Sequence, residues 1–499
     1  MTKNRIQKLS DLVANYLFEQ ILGDLSESAL IEKFVPTHYG ASHLGAALIL
    51  LGELRGKESY LERGQCIIRK VLTSWDEHSK KGDFHYDFNN FALAVVLKCS
   101  TSVDSSLLSA IIHHLISKTE DSNHNTVNWL PMRRFVNTVR LEYKDSKLFR
   151  RRINKIDAII RNATNDDGGI EDQLPYGVSY NLQYNISSVA GLLFNNLMGE
   201  EEDLSRQIGF LLEKELPDGD INYLGRGSNQ IFAWGHWLYI LSSCNLRNRF
   251  DYLEGRIKQM LTNNNLMLNE YKGEDKFQWY DYHHSLVYIS HFSFWLVMSE
   301  LHSGKANVNP TSTKNISTGL VVEKNEYFSV VTFSGRMAYS AEHGPTICAI
   351  TSSKYGALSK GISGPEGGDF GVLHSFPVIS NLNHTGLIEV RSLHTTKWAR
   401  LILNFFPRTG LRLKNLYSKP SIYLEGEELR IKYKNVNNTP VLFSFVSLIP
   451  IDEYECISFF VEQNSCQLLE VAKIKTQYGW AHVIQSNIFS GNICELRIK

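Results

Sequence analysis

The sequence LPDGDINYLGRGSNQIFAWGHWLYIL, residues 216–241, joins a turn, a glycine-flanked arginine and an apolar, aromatic helix in one stretch. Its opening Pro-Asp-Gly is typical of a turn. Gly225 and Gly227 leave the backbone free to bend tightly beside Arg226. The guanidinium of Arg226 offers a planar fork of donors that suits a carboxylate or a sulfate. The stretch therefore predicts a loop–helix junction that binds an anion, although an isolated Gly-Arg-Gly is more often a solvated helix start.

Apolar residues recur at three- and four-residue spacing throughout the first 305 residues, a pattern typical of α-helices. The segments with this spacing are 5–22, 43–55, 59–76, 88–99, 105–118, 129–143, 149–162, 182–198, 203–214, 229–243, 248–263 and 284–301. Short linkers rich in turn residues separate them, and the pattern indicates no strand between them. Residues 1–305 are therefore predicted to form helical hairpins in a ring or a superhelix.

The pattern of apolar residues changes at residues 303–317, SGKANVNPTSTKNIS. We predict this polar stretch to be the domain boundary. Short β-branched or aromatic segments follow, among them YFSVVTFS at 327–334 and PVLFSFVSLIP at 440–450. Residues 306–499 are therefore predicted to form an antiparallel β-sandwich. The predicted fold class is α followed by β, in two domains.

Composition limits the partners of the chain. Lysine plus arginine equals aspartate plus glutamate, at 52 each, which predicts no global attraction to nucleic acid or anionic membrane. No stretch approaches ~20 uninterrupted apolar residues, so no membrane span is expected. The N-terminus lacks the features of a secretory signal, which predicts a cytoplasmic protein as written, or a periplasmic or secreted one if a leader was removed. Seven scattered cysteines favour mostly buried free thiols. The oligomeric state is left open.

Polar and aromatic side chains of the kind that line sugar sites gather at the starts of predicted helices. These patches are 36–43, 85–90, 128–134, 167–185 and 279–284, in addition to the stretch 216–241. Because alternate helices of a hairpin ring start at the same edge, the patches are predicted to converge on one cleft. In one patch, Tyr180 and Tyr184 are four residues apart, which places both phenols on one helix face. Any single patch has a simpler explanation in core packing.

This organisation resembles the heparinase II/III-like and alginate-lyase-like polysaccharide lyases. The residues that carry the resemblance are the pair Asn128-Trp129, the turn Asp167-Gly168 leading to Tyr180, and the segment 222–227. The resemblance implies an incomplete (α/α) toroid followed by an antiparallel β domain, and a lyase acting on an acidic polysaccharide or oligosaccharide. Those lyases often have Tyr-His where this chain has Tyr180-Asn181.

The chemistry of such a lyase selects the candidate residues. β-Elimination at a uronate needs hydrogen-bond donors that neutralise the carboxylate, a base for the C5 proton and an acid for the C4 oxygen. The predicted catalytic residues are Tyr180, Asn128, Arg226 and His283. The predicted substrate-binding residues are His38, His85, Tyr184, Gln230, Trp234 and Tyr282. A basic tyrosine needs a nearby cation, which Arg226 would supply. No metal or other cofactor is required, although a structural divalent metal remains compatible with the sequence.

Two alternatives to the lyase stay open. A glycoside hydrolase on an (α/α) barrel would use paired carboxylates, for which the candidates are Asp167, Glu171, Asp172, Asp218 and Asp220. We favour the lyase because Asp-Gly turns are common structural elements. A non-catalytic polysaccharide-binding or assembly protein of a surface-polysaccharide pathway is the other alternative. The sequence does not specify the glycan, the cleavage mode, or whether the role is degradative or biosynthetic.

Overall fold

The order of secondary structure is α-helices first and β-strands afterwards. The structure, a computed structural model, describes residues 2–17, 39–75, 85–120, 126–174, 177–179, 182–199, 204–223, 231–246, 249–262, 282–311, 319–333, 346–360, 362–364, 371–373, 378–381, 421–434, 441–449, 457–476, 479–487 and 491–499. Within them, twelve α-helices precede residue 302, and fifteen of the seventeen strands follow residue 319. The predicted succession of α and then β is confirmed.

Each of the twelve observed helices overlaps one of the predicted helical segments. The helices are α1 (Thr2–Tyr16), α2 (Tyr39–Arg55), α3 (Glu58–Thr73), α4 (His85–Cys99), α5 (Ser105–Ser117), α6 (Leu130–Tyr143), α7 (Lys147–Ala163), α8 (Leu182–Leu197), α9 (Ser205–Lys214), α10 (Phe232–Ser243), α11 (Asp251–Thr262) and α12 (Tyr282–Leu301). A 3-10 turn, Val127–Trp129, leads into α6. The agreement follows from apolar spacing that is sustained over three or more turns in most segments.

The odd-numbered helices have one buried stripe and one solvated face. On α3, Tyr60, Gly64, Ile67 and Val71 are buried at three- and four-residue spacing. The start of α5 is stabilised by Asp104, whose carboxylate accepts a hydrogen bond from the next turn of backbone. These helices therefore cover the surface of the helical half.

The even-numbered helices are buried on nearly all sides. Every residue of α10 from 233 to 243 is buried, as is every residue of α8 from 185 to 195. A helix without a polar face has to be surrounded by other helices. Accordingly, α2 packs against α3, α4 and α12, α6 against α4, α7 and α8, and α10 against α8 and α12. Apolar as they are, none of the helices in the described ranges meets the length and hydropathy needed to cross a membrane.

Contacts between neighbouring even-numbered helices follow the same order along both helices. Ser42 Oγ donates to Asn89 Oδ1 over 2.6 Å near the starts of α2 and α4, and Ser100 Oγ donates to Glu53 near their ends. The same order appears between other neighbouring helices, where the contact nearer the helix starts is given first. These contacts are Asp87–Arg133 and Lys98–Glu142 between α4 and α6, Pro131–Gly191 and Phe135–Phe194 between α6 and α8, His236–His291 and Ser242–Ser299 between α10 and α12, and His43–His291 and Arg55–Glu300 between α2 and α12. The six even-numbered helices therefore run parallel, and we call the end at which they begin the polar end.

A short hairpin interrupts the helical half before α8. Strand β1 (Asp172–Leu174) pairs with β2 (Gly177–Ser179) in antiparallel register. The expectation that no strand lies among the helices was wrong at this point. Strands of three residues are too short to show the apolar alternation by which a sequence reveals a strand.

The strands after residue 319 form antiparallel sheets. The strands are β3 (Leu320–Lys324), β4 (Phe328–Phe333), β5 (Thr346–Ser352), β6 (Gly356–Lys360), β7 (Ile362–Gly364), β8 (Gly371–Leu373), β9 (Val378–Asn381), β10 (Ser421–Glu425), β11 (Glu428–Lys434), β12 (Val441–Ser447), β13 (Ile457–Val461), β14 (Asn464–Cys466), β15 (Leu468–Thr476), β16 (Gly479–Ser486) and β17 (Ile493–Ile498). Their orders are β3-β4-β5-β6, β10-β11-β17-β13-β14, β15-β16-β12-β9 and the pair β7-β8. In β13, Ile457, Phe459 and Val461 alternate with less buried residues, so one face of that sheet points to the core.

The chain leaving α12 is hydrogen-bonded to the helical half. Gly304 N donates to Ser242 O over 2.9 Å, and Thr311 N donates to Ser205 O over 3.0 Å. Helical structure ends and strand structure begins on either side of the predicted boundary at 303–317, of which residues 312–318 lie outside the described part of the chain. That the two halves are separate domains stays a prediction.

Candidate functional site

Three buried histidines meet between the even-numbered helices, and we call His43, His236 and His291 the histidine cluster. The ring centroids of His43 and His291 are 4.6 Å apart, and those of His236 and His291 are 5.0 Å apart. None of the three is more than 3% exposed. Because they come from α2, α10 and α12, the cluster ties together helices that are distant in sequence.

Neighbouring groups determine which ring nitrogens of the histidine cluster carry hydrogen. The indole N–H of Trp295 can only donate, and it lies 3.1 Å from His291 Nε2, so this nitrogen is an acceptor. His236 Nδ1 lies 3.0 Å from the carbonyl oxygen of Phe232, which requires a hydrogen on Nδ1. In neutral His236 the lone pair is then on Nε2, which faces His291 Nε2 at 3.4 Å. Both nitrogens at this contact are therefore hydrogen-bond acceptors.

Burial keeps the rings of His236 and His291 uncharged. It lowers the pKa of His236 to about 3, against the raising effect of the Phe232 carbonyl. Burial, followed by the proximity of His43 and His236, holds the pKa of His291 well below its ordinary value. His236 and His291 therefore stay neutral at ordinary pH, and their lone pairs accept hydrogen bonds but bind protons weakly.

Amide side chains with unused hydrogen-bonding capacity lie in the same interior. Asn89 Nδ2, Asn128 Oδ1 and both polar side-chain atoms of Gln183 are buried and have no hydrogen-bond partner among the described residues. Buried polar atoms in folded proteins nearly always have a partner, whether protein, water or ligand. These atoms belong to α4, the turn before α6 and α8, so they extend the polar interior around several helix starts.

A buried ion pair joins the starts of α4 and α6. Asp87 accepts from Arg133 at 2.6 and 3.1 Å, and both side chains are at least nine-tenths buried. Next to Asp87 in sequence, the ring of Phe88 lies 5.9 Å from that of His291 and 6.1 Å from that of Trp129. The pair carries no net charge and fixes this side of the polar end.

The four predicted catalytic residues are described to different extents. Asn128 is 7% exposed, in the turn before α6. His283 is the second residue of α12, and only its backbone is described. Tyr180 and Arg226 lie outside the described residues. Their mutual distances therefore stay predictions.

The predicted substrate-binding residues divide in the same way. His38 and Gln230 lie outside the described residues, and His85 and Tyr282 are the first residues of α4 and α12 with only their backbone described. Tyr184 is half-buried in the first turn of α8.

Trp234, another predicted substrate-binding residue, lies in the first turn of α10. It is fully buried, and its indole N–H donates to Asp220 Oδ1 over 3.2 Å. A side chain in this position packs the core and supports a buried carboxylate, and its contact with substrate stays a prediction. An aromatic residue in an apolar helix start gives the same sequence pattern in either role.

The carboxylates of the turn before α10 bind a lysine from the β half. Lys360 of β6 is fully buried, and its Nζ lies 2.8 Å from Asp220, 2.7 Å from Asp218 and 3.1 Å from the hydroxyl of Tyr252. Burial alone would favour the neutral amine, but the two carboxylates raise the pKa of Lys360 above its usual value. In turn, the ammonium group overcomes burial and lowers the pKa of Asp220. Two of the five carboxylates considered for a hydrolase are thus neutralised inside the protein.

Other candidate carboxylates have local structural partners. Asp167 accepts from the backbone N–H of Gly169 at 3.0 Å, and Glu171 accepts from the side chain of Asn165 at 2.9 Å. Asp172 lies in β1, and its side chain is not described. These contacts are typical of a turn and do not pair two carboxylates across a cleft.

The site also contains residues that the sequence did not single out. His43 and His236 belong to polar patches but received no role, and His291 was missed because it lies well inside α12 among apolar residues. A histidine in the interior of a helix that is apolar on all sides is the available signal. No group of histidine, cysteine, aspartate or glutamate within the described ranges is arranged to hold a metal ion.

The sequence matches no known protein-family profile and no curated protein. The resemblance to the heparinase II/III-like lyases therefore stays a prediction.

Proposed function

We propose that this chain is a polysaccharide lyase that cleaves an acidic, uronate-containing glycan by β-elimination at the polar end. The observation that carries the proposal is the gathering of buried imidazole and amide groups near the starts of α2, α4, α6, α8 and α10, joined by His291 from the middle of α12. Hydrogen-bond donors of this kind stabilise the negative charge that develops when a weakly acidic C–H proton is removed.

An (α/α) toroid is the arrangement that the helix contacts favour. The even-numbered helices contact each other in the cyclic order α2, α4, α6, α8, α10, α12 and back to α2. Most odd-numbered helices pack against an even-numbered neighbour, as an outer layer would. This order supports a closed ring more than the incomplete toroid implied by the resemblance. The antiparallel sheets support a β-sandwich in the second half.

The chain itself connects the predicted catalytic residues to the polar end. Tyr180 precedes the first residue of α8 by two positions, and Arg226 precedes that of α10 by six. His283 is the second residue of α12. Since these helices begin at one end of the bundle, their attachment supports the predicted cleft.

In this proposal, Asn128 and Arg226 neutralise the uronate carboxylate, which acidifies the C5 proton. Tyr180 exchanges protons with the sugar, and His283 assists. The histidine cluster lies too deep to touch a polymer. It supports the floor of the cleft with neutral acceptors, which avoid competing with the uronate for Arg226.

Paired-carboxylate hydrolysis has less support than elimination. Asp218 and Asp220 are held by Lys360, and Asp167 caps a turn. A general acid needs a proton near neutral pH, whereas the lysine favours the ionised form of Asp220.

The test is incubation of the protein with a panel of uronate-containing polysaccharides while absorbance in the unsaturated-uronate band is followed. We expect an increase with at least one polymer and its loss in Arg226→Ala. New reducing ends without the absorbance would identify a hydrolase. Binding without chain shortening would identify a non-catalytic glycan-binding protein. Either outcome would overturn the proposal.

A further inference from the structure

The solvated surface of α7 carries charge of one sign. The helix contains six basic residues and one acidic residue, Asp157, which is paired with Arg134 of α6 at 2.6 Å. The exposed cations, which we call the basic face, are Lys147, Arg150, Arg151, Lys155 and Arg161. Phe149, Ile156 and Ile160 occupy the opposite, buried side.

The odd-numbered helices α3 and α11 carry charges of both signs in nearly equal number. The charged residues of α3 are Glu58, Glu62, Arg63, Arg69 and Lys70, and those of α11 are Asp251, Glu254, Arg256 and Lys258. On the basic face, the described contacts include one carboxylate, Asp145, which lies 2.8 Å from Arg150. Both members of that pair are more than half exposed, so it neutralises the face only weakly.

The cations of the basic face are aligned along the helix. Lys147, Arg151 and Lys155 follow each other at four-residue spacing, which places them in one row. With Arg161, the face extends over about 21 Å at 1.5 Å of rise per residue. A repeated charge on an extended polymer meets such a row at several points.

The basic face leads toward the polar end. Near the end of α7, Asp157 contacts Arg134 at the start of α6, whereas near the start of α7, the ring of Phe149 lies 5.6 Å from the guanidinium carbon of Arg140 near the end of α6. The two helices are therefore antiparallel, and Arg161 lies at the end of the molecule where α6 begins.

We propose that the basic face binds an acidic polysaccharide outside the cleft and holds the part of the chain that extends beyond the polar end. The choice of polymer rests on the proposed function, whereas the requirement for a repeated anion rests on the charges of α7. Arginine forks suit carboxylate and sulfate groups. A membrane surface fits less well, because the apolar side of α7 is already buried and has nothing to insert.

The test measures binding of the full chain to immobilised polygalacturonate as a function of salt. One variant combines Lys147→Gln, Arg151→Gln and Lys155→Gln. The matched control combines Lys57→Gln, Lys70→Gln and Lys324→Gln, which removes the same charge from exposed positions elsewhere. We expect at least a tenfold higher Kd at low salt for the α7 variant only. The slope of log affinity against log salt should fall by up to about three, roughly one for each cation removed.

Three outcomes overturn this proposal: the α7 variant binds like the parent, the control loses as much affinity, or α7-dependent binding occurs with phosphatidylserine vesicles or duplex DNA but not with polygalacturonate. Unchanged far-ultraviolet circular dichroism of both variants establishes that they fold. A separate assay for unsaturated products keeps the two proposals apart. Binding through α7 without any product would contradict the lyase alone, and product from a short oligosaccharide with α7-independent polymer binding would contradict the basic face alone.

Discussion

The even-numbered helices bury many of their polar side chains, whereas the odd-numbered helices α3 and α7 expose theirs to solvent. On α7 and α3, the polar residues face solvent and the buried stripe is almost wholly apolar. On α2, α8, α10 and α12, by contrast, histidine, asparagine, glutamine and serine are buried together. Because the polar residues of α2, α8, α10 and α12 do not face solvent, a contribution to solubility does not explain them.

Buried polar groups oppose folding unless they are satisfied. An unsatisfied donor or acceptor costs about 1–3 kcal/mol, and Gln183 has two such atoms among the described contacts. Helix α3 largely avoids this cost, because its buried side chains are apolar apart from the Tyr60 hydroxyl. Retention of polar groups near the polar end therefore fits a site more readily than a core.

The largest expected effect concerns proton transfer at the start of α8. Tyr180→Phe removes only a hydroxyl, and we expect turnover to fall by about 10²–10⁴-fold with little change in substrate affinity, since a positioned acid or base acts in the transition state. The measurement is kcat and KM on the polymer identified by the absorbance assay. The matched control, Tyr60→Phe on α3, should keep full activity. Equal activity of both variants would remove Tyr180 from the mechanism.

The next effect compares two ion pairs. Arg133→Met removes the cation that pairs with buried Asp87, and we expect a loss of about 3–5 kcal/mol in the free energy of unfolding. Arg150→Met breaks the exposed pair with Asp145, where about 0–1 kcal/mol is expected. Urea denaturation of both variants checks the contrast. Similar losses would show that burial does not distinguish the two classes of helix.

Acid should destabilise the protein through its neutral histidines. The pKa of His236 is about 3 in the folded state, against roughly 6.5 when unfolded. The unfolded chain therefore binds the extra proton between these values, and stability rises with pH across this window and is lost as pH falls. At pH 5 the loss that comes from His236 is about 2 kcal/mol.

The histidine prediction is checked by urea denaturation between pH 7 and pH 4.5. In His236→Gln, the acid-induced loss should be smaller by about 1.4 kcal/mol for each pH unit. An unchanged loss in His236→Gln would mean that the ring of His236 binds a proton as readily in the folded protein as in the unfolded protein.

The smallest effect concerns two glycines. A methyl group on Gly191 of α8 would lie 2.7 Å from the Cβ of Pro131, so Gly191→Ala is expected to destabilise by about 1–3 kcal/mol. Gly255 of α11 has open space around it, and Gly255→Ala should stabilise by up to about 1 kcal/mol through helix propensity. Opposite shifts in thermal melting would confirm the contrast. Stabilisation by both changes would show that α6 and α8 are loosely packed.

The sequence predicts the helices well because their apolar spacing is local. It predicts contacts across the bundle poorly, since nothing in the residues near His291 indicates that His43 and His236 would join it. Trp234 shows the same limit, because its partner Asp220 is held in turn by Lys360, 140 positions along the chain. The hairpin β1–β2 was missed because its two strands pair only three residues each, which is too few to show an alternating apolar pattern. Asn128 was predicted and is buried near the polar end, but its role depends on Tyr180 and Arg226, which lie outside the described residues.

The parallel course of the even-numbered helices has an electrostatic consequence. Each helix carries a macrodipole whose positive pole, roughly half an elementary charge, lies at its first turn. Six such poles share the polar end, although α7, which is antiparallel to α6, brings its negative pole to the same end. The chain as a whole has a formal net charge of zero. Close to the first turns of the even-numbered helices, the backbone therefore contributes a positive potential toward an approaching polyanion, independently of the charged side chains.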